Sequence, residues 1–224
     1  SHGLKEQNST LQKQNILLAK RMEESTKNLA RLYEDLRQTY MRTIKVLAQA
    51  IDARDHYTHS HSENVARYAV CIAAQMGFSA NDVEVVREAC ELHDLGKIGV
   101  EDSILGKTSE RNEEEWEQIR RHPTIGAQIL GPLTFLNEVI ELIRQHHERY
   151  DGTGYPEGRS GQDILLGARI IHLADAYESM RSARSYRKVP LTEEEAILEI
   201  KENNGTQFDP AVVEAFLRIV YRLK

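Results

Sequence analysis

Between Leu4 and Val46 the chain is mostly polar, but its apolar residues recur at alternating spacings of three and four. Placing Asn8, Asn15, Met22, Leu29, Leu36 and Thr43 at the a positions of a heptad puts Leu11, Leu18, Ser25, Leu32, Thr39 and Val46 at d, and the register holds without a break. One narrow apolar seam on a polar helix predicts a coiled coil, as against a lone amphipathic helix packed on its own domain. Asparagine at a costs stability but pairs best with its own copy in a parallel pair. Asn8 and Asn15 therefore favour a parallel homodimer through residues 4–46. At about 1.5 Å per residue this rod is roughly 60 Å long. Residues 1–43 read as a dimerising linker between an upstream sensory domain and a downstream output domain.

The pattern changes near Ile44, where IKVLAQAIDA is continuously apolar on one face. The stripe Val65, Ala69, Ile72 and Met76 predicts a helix ended by Gly77, and Asp82–Leu92 predicts the next, with Ser79 as its N-cap. Asn112 with Glu115 has the form of a capping box for a helix to Arg121, and Thr192 with Glu195 opens another. Asp209-Pro210 starts the last helix, which turns Val213, Phe216 and Val220 inward. No stretch shows the sustained alternation of a half-buried strand, so residues 44–224 predict an all-α helical bundle preceded by the coiled-coil helix. Only 149–168, RYDGTGYPEGRSGQDILLGA, breaks the pattern, and its glycines predict a loop.

Composition narrows the class. With 224 residues, 40% apolar and 29% charged, the chain has the balance of a water-soluble globular protein, and its net charge of −6 argues against nucleic acid or an acidic membrane as partner. A local basic pocket for a phosphorylated small molecule remains compatible with that charge. Cys71 and Cys90 lack CxxC spacing and fall on apolar helical faces, which reads as reduced core cysteine in a cytoplasmic protein. No run approaches the roughly 18 apolar residues of a membrane span, and no signal-peptide core is present. Ser1-His2-Gly3 reads as a cloning remnant and the chain as a fragment.

Candidate chemistry centres on ELHDLGKIGV, residues 91–100. His93 and Asp94 are adjacent at the end of an apolar helix, with Gly96 where the helix stops and Lys97 beside them. A lone His-Asp pair is ordinary at a helix end, but seven of the nine histidines lie between 56 and 147. His61 begins the inward stripe of Val65 and Ala69. His146 and His147 lie seven residues after Val139 and Ile140, His122 precedes Pro123 at a helix start, and Asp175 follows Ile171 by four. A buried carboxylate needs a cation or several donors. His61, His93, Asp94, His122, His146, His147 and Asp175 together suffice for two metal ions sharing Asp94. His56 and His59 are expected outside this shell and His172 in packing. A histidine-rich shell with a shared carboxylate suits iron first, then manganese or zinc, over magnesium or calcium.

HHERYDGTGYPEG at 146–158, taken with HDLGK at 93–97, resembles the HD-GYP family, named for a His-Asp pair and for the Gly-Tyr-Pro found here at 154–156. The resemblance extends over nearly all of 44–223 through YTHSH, ILGK, EEW, HPTIG, ARIIHLADAYESM and GTQFDP. It implies an HD-type helical bundle that hydrolyses cyclic di-GMP through pGpG to GMP. It implies one metal on His61, His93, Asp94 and Asp175, and a second on Asp94, His122, His146 and His147. Lys97 matches the family's substrate-contacting lysine, while Arg184 and Arg187 match its phosphate-gripping pair. The residues suit that chemistry: two cations generate a bridging hydroxide near neutral pH, Lys97 steadies developing charge, and Gly154 and Tyr155 wall the ligand.

The chain departs from the family where DAMTSDRPYR is usual, having Glu178, Arg181, Ala183 and Ser185 instead of Asp, Thr, Asp and Pro. These changes bear on substrate fit rather than on metal binding, and Arg181 adds a cation beside the phosphate grip. Tyr57 replaces the glutamate that serves a third metal in some members, which leaves two. Two other functions fit: hydrolysis of another nucleotide, and a catalytically weak cyclic-dinucleotide sensor or docking module for a diguanylate cyclase.

Overall fold

The computed structural model describes residues 2–54, 61–182 and 189–222. Its contacts divide into two units, Ser1–Ile44 and Lys45–Lys224.

Helix α1, His2–Arg54, supplies the first unit and the opening of the second. No glycine or proline interrupts the sequence from Leu4 to Arg54, so the helix continues through the expected change near Ile44 and only its buried face changes. In the first unit Leu11, Leu18, Met22, Leu29, Leu32 and Leu36 are all exposed. From Lys45 onward Ala48, Ile51 and Asp52 are buried.

The second unit continues with α2 (His61–Gln75), α3 (Ala80–Leu92), the single turn α4 (Asp102–Leu105), α5 (Glu113–Arg120), α6 (His122–Leu130) and α7 (Asn137–Gln145). Then come α8 (Leu166–Arg181), α9 (Glu193–Glu202) and α10 (Pro210–Ile219). Among the described residues there is no strand, only one isolated bridge between Asn204 and Phe208, so the fold is all-α. The caps are those expected: Asn112 Oδ1 accepts from Glu115 N at 2.9 Å and Glu115 returns the bond at 2.8 Å, while Thr192 and Glu195 repeat the arrangement. Each such cap is worth about 1 kcal/mol.

Helix α2 packs on α3 and α8, α7 packs on α3, α6 and α8, and α10 closes over α2. Ile72, Leu92, Ile143, Ile171 and Phe216 are fully buried at these contacts, each contributing roughly 1.5–3 kcal/mol of burial. The glycine-rich loop is shorter than expected. A short turn forms at Gly161–Asp163, and α8 begins at Leu166 with Gly167 inside it, packed on Leu142. That close helix contact gave the sequence a loop-like glycine in a helical position.

Candidate metal centre

Three histidines orient themselves by the same local device. His93 Nδ1 lies 2.6 Å from Cys90 O, His122 Nδ1 2.7 Å from Ile119 O, and His146 Nδ1 2.6 Å from Ile143 O. In each the ring turns back on the main-chain carbonyl three residues earlier, after the end of α3, between α5 and α6, and after the end of α7. A carbonyl only accepts, which fixes the proton on Nδ1 and leaves a lone pair on each Nε2. Those lone pairs converge. His122 Nε2 and His146 Nε2 are 3.2 Å apart, and two acceptors at that distance need a cation between them.

The ligand atoms form two groups, His61 with His93 and Asp94, and His122 with His146 and His147. Asp94 addresses both: Oδ1 is 3.4 Å from His122 Nε2, while Oδ2 is 3.5 Å from His93 Nε2 and 4.0 Å from His61 Nε2. Asp175 Oδ1, from α8, is 3.4 Å from His61 Nε2 and 4.0 Å from His93 Nε2. Ligands about 2.0–2.2 Å from a shared ion stand roughly 3.0–3.5 Å apart, so the donor set fits divalent transition metal. All seven expected ligand residues are thus brought together, on α2, α6 and α8 and at the ends of α3 and α7.

Close backbone approach makes this convergence feasible. A Cβ on Gly96 would stand 1.8 Å from His122 O, so only glycine lets the turn after Asp94 meet the start of α6. Helix α1 holds the same region by polar contacts: Lys45 pairs with Glu91 at 2.5 Å, Ser62 Oγ donates to Asp52 at 2.5 Å, and Arg54 pairs with Asp102. Glu91, Ser62 and Asp102 flank the segments carrying His93, His61 and Lys97.

The charges divide the site. Burial would raise the Asp94 carboxyl, but His93, Lys97 and His122 outweigh it and hold the group well below the usual carboxylate range. Lys97 Nζ donates to Asp94 Oδ2 at 2.8 Å. Burial likewise opposes a charged His93, yet Asp94, Asp175 and Asp52 push it up. His122 is lowered to about 4 by burial, and His146 and His147 fall well below the ordinary histidine range through burial and the neighbouring imidazoles. These three rings are neutral, as a metal ligand must be.

The Gly-Tyr-Pro loop folds back on the ligands. A Cβ on Gly154 would come within 2.3 Å of Arg149 N, and Tyr155 N donates to His147 O at 3.2 Å. The Tyr155 ring stacks on His147, with centroids 4.8 Å apart and planes inclined by 29°. Glu148, fully buried, accepts from Glu157 N at 2.7 Å and Arg159 N at 3.0 Å, pinning both oxygens to the loop.

Three residues expected near the substrate make contacts of their own, and seven others stay out of reach. Tyr155, expected to wall the ligand, lies against a candidate metal ligand. Glu178, expected to bear on substrate fit, accepts from His61 Nδ1. Arg181, expected beside the phosphate grip, donates to Leu191 O at 3.0 Å. Arg184, Arg187, Ala183 and Ser185, like His56, Tyr57 and His59, lie outside the described residues. His172 is buried in packing as expected, donating to His146 O at 2.8 Å. Glu178, Glu148 and Asp52 were the residues missed. Glu178 is three positions from Asp175 on one helix face, Asp52 follows Ile51 on an inward stripe, and Glu148 directly follows the tandem histidines.

The sequence model of the HD domain family matches residues 45–212. The chain is 37% identical over 214 residues to the cyclic di-GMP phosphodiesterase response regulator RpfG of Xanthomonas campestris pv. campestris, covering 91% of this chain and 56% of that protein. It is 39% identical over 168 residues to the 3'3'-cGAMP-specific phosphodiesterase 3 of Vibrio cholerae, covering 75% of this chain and 36% of that protein. The crystal structure of a cyclic GMP-AMP-specific phosphodiesterase of V. cholerae superposes with a TM-score of 0.62 at 21% identity, over 80% of this chain and 49% of that one. The chain spans about half the length of the first of these relatives and about a third of the second.

Proposed function

This chain belongs to the HD domain family, and from that premise we propose that it is a metal-dependent phosphodiesterase hydrolysing cyclic di-GMP through pGpG to GMP. The observation that carries the reading is the Asp94 carboxylate, one oxygen facing each group of imidazoles whose lone pairs converge. His61, His93, Asp94 and Asp175 would hold one divalent transition-metal ion, and Asp94, His122, His146 and His147 the other, with iron, manganese or zinc the fitting elements. Such a pair supplies Lewis acidity and an activated water at neutral pH.

The protein's own groups do the rest. Buried Lys97, already at Asp94 Oδ2, places a cation where negative charge grows on the phosphate or its leaving oxygen. Arg184 and Arg187 are assigned to the non-scissile phosphate and Gly154 with Tyr155 to the wall of the ligand site. Residues 1–43 serve as linker and 44–224 as the catalytic unit, dimerised in parallel through 4–46 and receiving a signal from an upstream sensory domain or a diguanylate cyclase partner. The exposed heptad seam supports the dimer, and sedimentation of the chain against a version starting at Thr43 tests it. No described helix is long and apolar enough to cross a membrane, and a nucleotide second messenger as substrate goes with a cytoplasmic place of action.

The deciding experiment supplies iron or manganese anaerobically and follows pGpG and GMP by chromatography. Fully metallated protein that binds the dinucleotide without releasing product would turn the reading into that of a sensor. The 39% identity to a 3'3'-cGAMP-specific enzyme favours a second substrate, so both dinucleotides are offered, and a larger kcat/KM for 3'3'-cGAMP replaces the first assignment.

A further inference from the structure

His93, His122 and His146 are each held by a carbonyl three residues back in their own chain segment. His61 opens α2, and the partner shown for its ring comes from another helix. Its Nδ1 instead meets the carboxylate of Glu178, on α8. Glu178 is buried, and its other oxygen accepts from Ser182 Oγ at 2.6 Å. Three residues earlier on the same helix face, Asp175 Oδ1 stands 3.4 Å from His61 Nε2. One helix therefore grips both edges of a fully buried ring.

We propose that Glu178 is the positioning residue for His61: it fixes the ring's tautomer and direction, and it makes this imidazole a stronger donor than the carbonyl-backed ones. The inference rests on His61 being a metal ligand. A carboxylate behind a ligating imidazole fixes the Nδ1–H tautomer, so the Nε2 lone pair faces Asp94 and Asp175, and its charge raises the ring's donor strength. An amide at the same place keeps an acceptor and loses the charge, whereas a methyl loses both. The effect is expected on the ion that His61 would hold, because His61 is the candidate ligand whose Nδ1 Glu178 meets.

Calorimetric titration of the metal-free protein with Mn²⁺ reads this directly. Wild type is expected to take up two ions. Glu178→Gln should weaken one of them by about tenfold and Glu178→Ala by about 100-fold, leaving the other ion unchanged. Glu178→Asp, which restores the charge, should recover part of the loss. Melting of the metal-free variants separates this from mere packing: a structural role lowers melting temperature without moving either affinity. Two ions bound by wild type and equally by both Glu178→Gln and Glu178→Ala would overturn the proposal alone. A wild type that binds no Mn²⁺ even after reconstitution would overturn the metal reading beneath it.

Discussion

Around His61 and His93 stand three carboxylates, those of Asp94, Asp175 and Glu178, whereas in the group of His122, His146 and His147 the carboxylate contact shown is one oxygen of Asp94 at His122. The first half is anionic and draws protons, which is why His93 is pushed up. In the second half burial outweighs Asp94, and His122 is lowered to about 4. Two neighbouring sites of similar ligand number thus meet a cation in different protonation states. The carboxylate half attracts it more strongly but must release a proton. The imidazole half is ready to bind and has less charge to offer.

The largest expected effect comes from the one group the halves share. Asp94→Ala should abolish uptake of both ions and with it all turnover, while Asp175→Ala should cost only the ion of the carboxylate half. Metal content of the purified, reconstituted variants measures this. Removing Asp94 also breaks its buried pair with Lys97, a loss of about 3–5 kcal/mol for a pair of this kind. Asp94→Asn, which keeps the shape, is therefore run beside it. Two ions retained in both Asp94 variants would mean that the halves are independent sites and that the carboxylate is not their bridge.

Proton competition should separate the halves next. Metal binds deprotonated ligands, so Mn²⁺ affinity in the carboxylate half should fall as pH drops through the raised His93 value, while the imidazole half holds its affinity well below it. Without metal the sign on stability reverses between the same groups. His122 has a folded value of about 4, below its unfolded value, so the unfolded chain takes up the proton first. Its contribution is present above about pH 6.5 and drains away as pH falls toward about 4. His93 contributes in the opposite sense, fully below its unfolded value and lost as pH rises through the folded one. Denaturant melts of the metal-free protein at several pH values check the balance. With His146 and His147 lowered as His122 is, net stability should decline on acidification. A flat profile from about pH 6.5 to 4 would show that the imidazole half is not buried neutral.

The same contrast marks what the sequence could carry. Every candidate ligand was legible as a histidine or aspartate on, or at the end of, a helix whose apolar periodicity reports which way it faces. The helices and caps were legible for similar reasons, through Ser79, Asn112, Thr192 and Asp209. What orients a ligand was not, since that depends on which helix lies behind it. Glu178 looked like a change near the substrate until α8 was seen to pass behind His61. Gly167 looked like loop because a tight contact between helices and a turn both call for glycine. Helix α1 runs through the division at Ile44 because a helix does not end when its buried face changes, only when a residue stops it.

His147 gives the finest test of the comparison, because it is the ligand candidate held by a stack and not by a fixed hydrogen bond among the described contacts. Its ring lies against Tyr155 at 4.8 Å, and the tyrosine belongs to a loop that Glu148 pins through Glu157 N and Arg159 N. An aromatic contact of this kind is worth about 0.5–1.5 kcal/mol, or roughly twofold to tenfold in affinity. Tyr155→Ala should therefore weaken the ion of the imidazole half by that factor and leave the carboxylate half untouched. Tyr155→Phe keeps the ring and should leave both ions as they are, so any change it makes in KM reports the hydroxyl's contact with substrate and not the metal. Mn²⁺ titration of both variants, set beside their kinetics, divides the two roles. If Tyr155→Ala binds both ions as wild type does and only KM rises, the tyrosine is a wall of the ligand site, and the imidazole half owes its order to His122 and His146 alone.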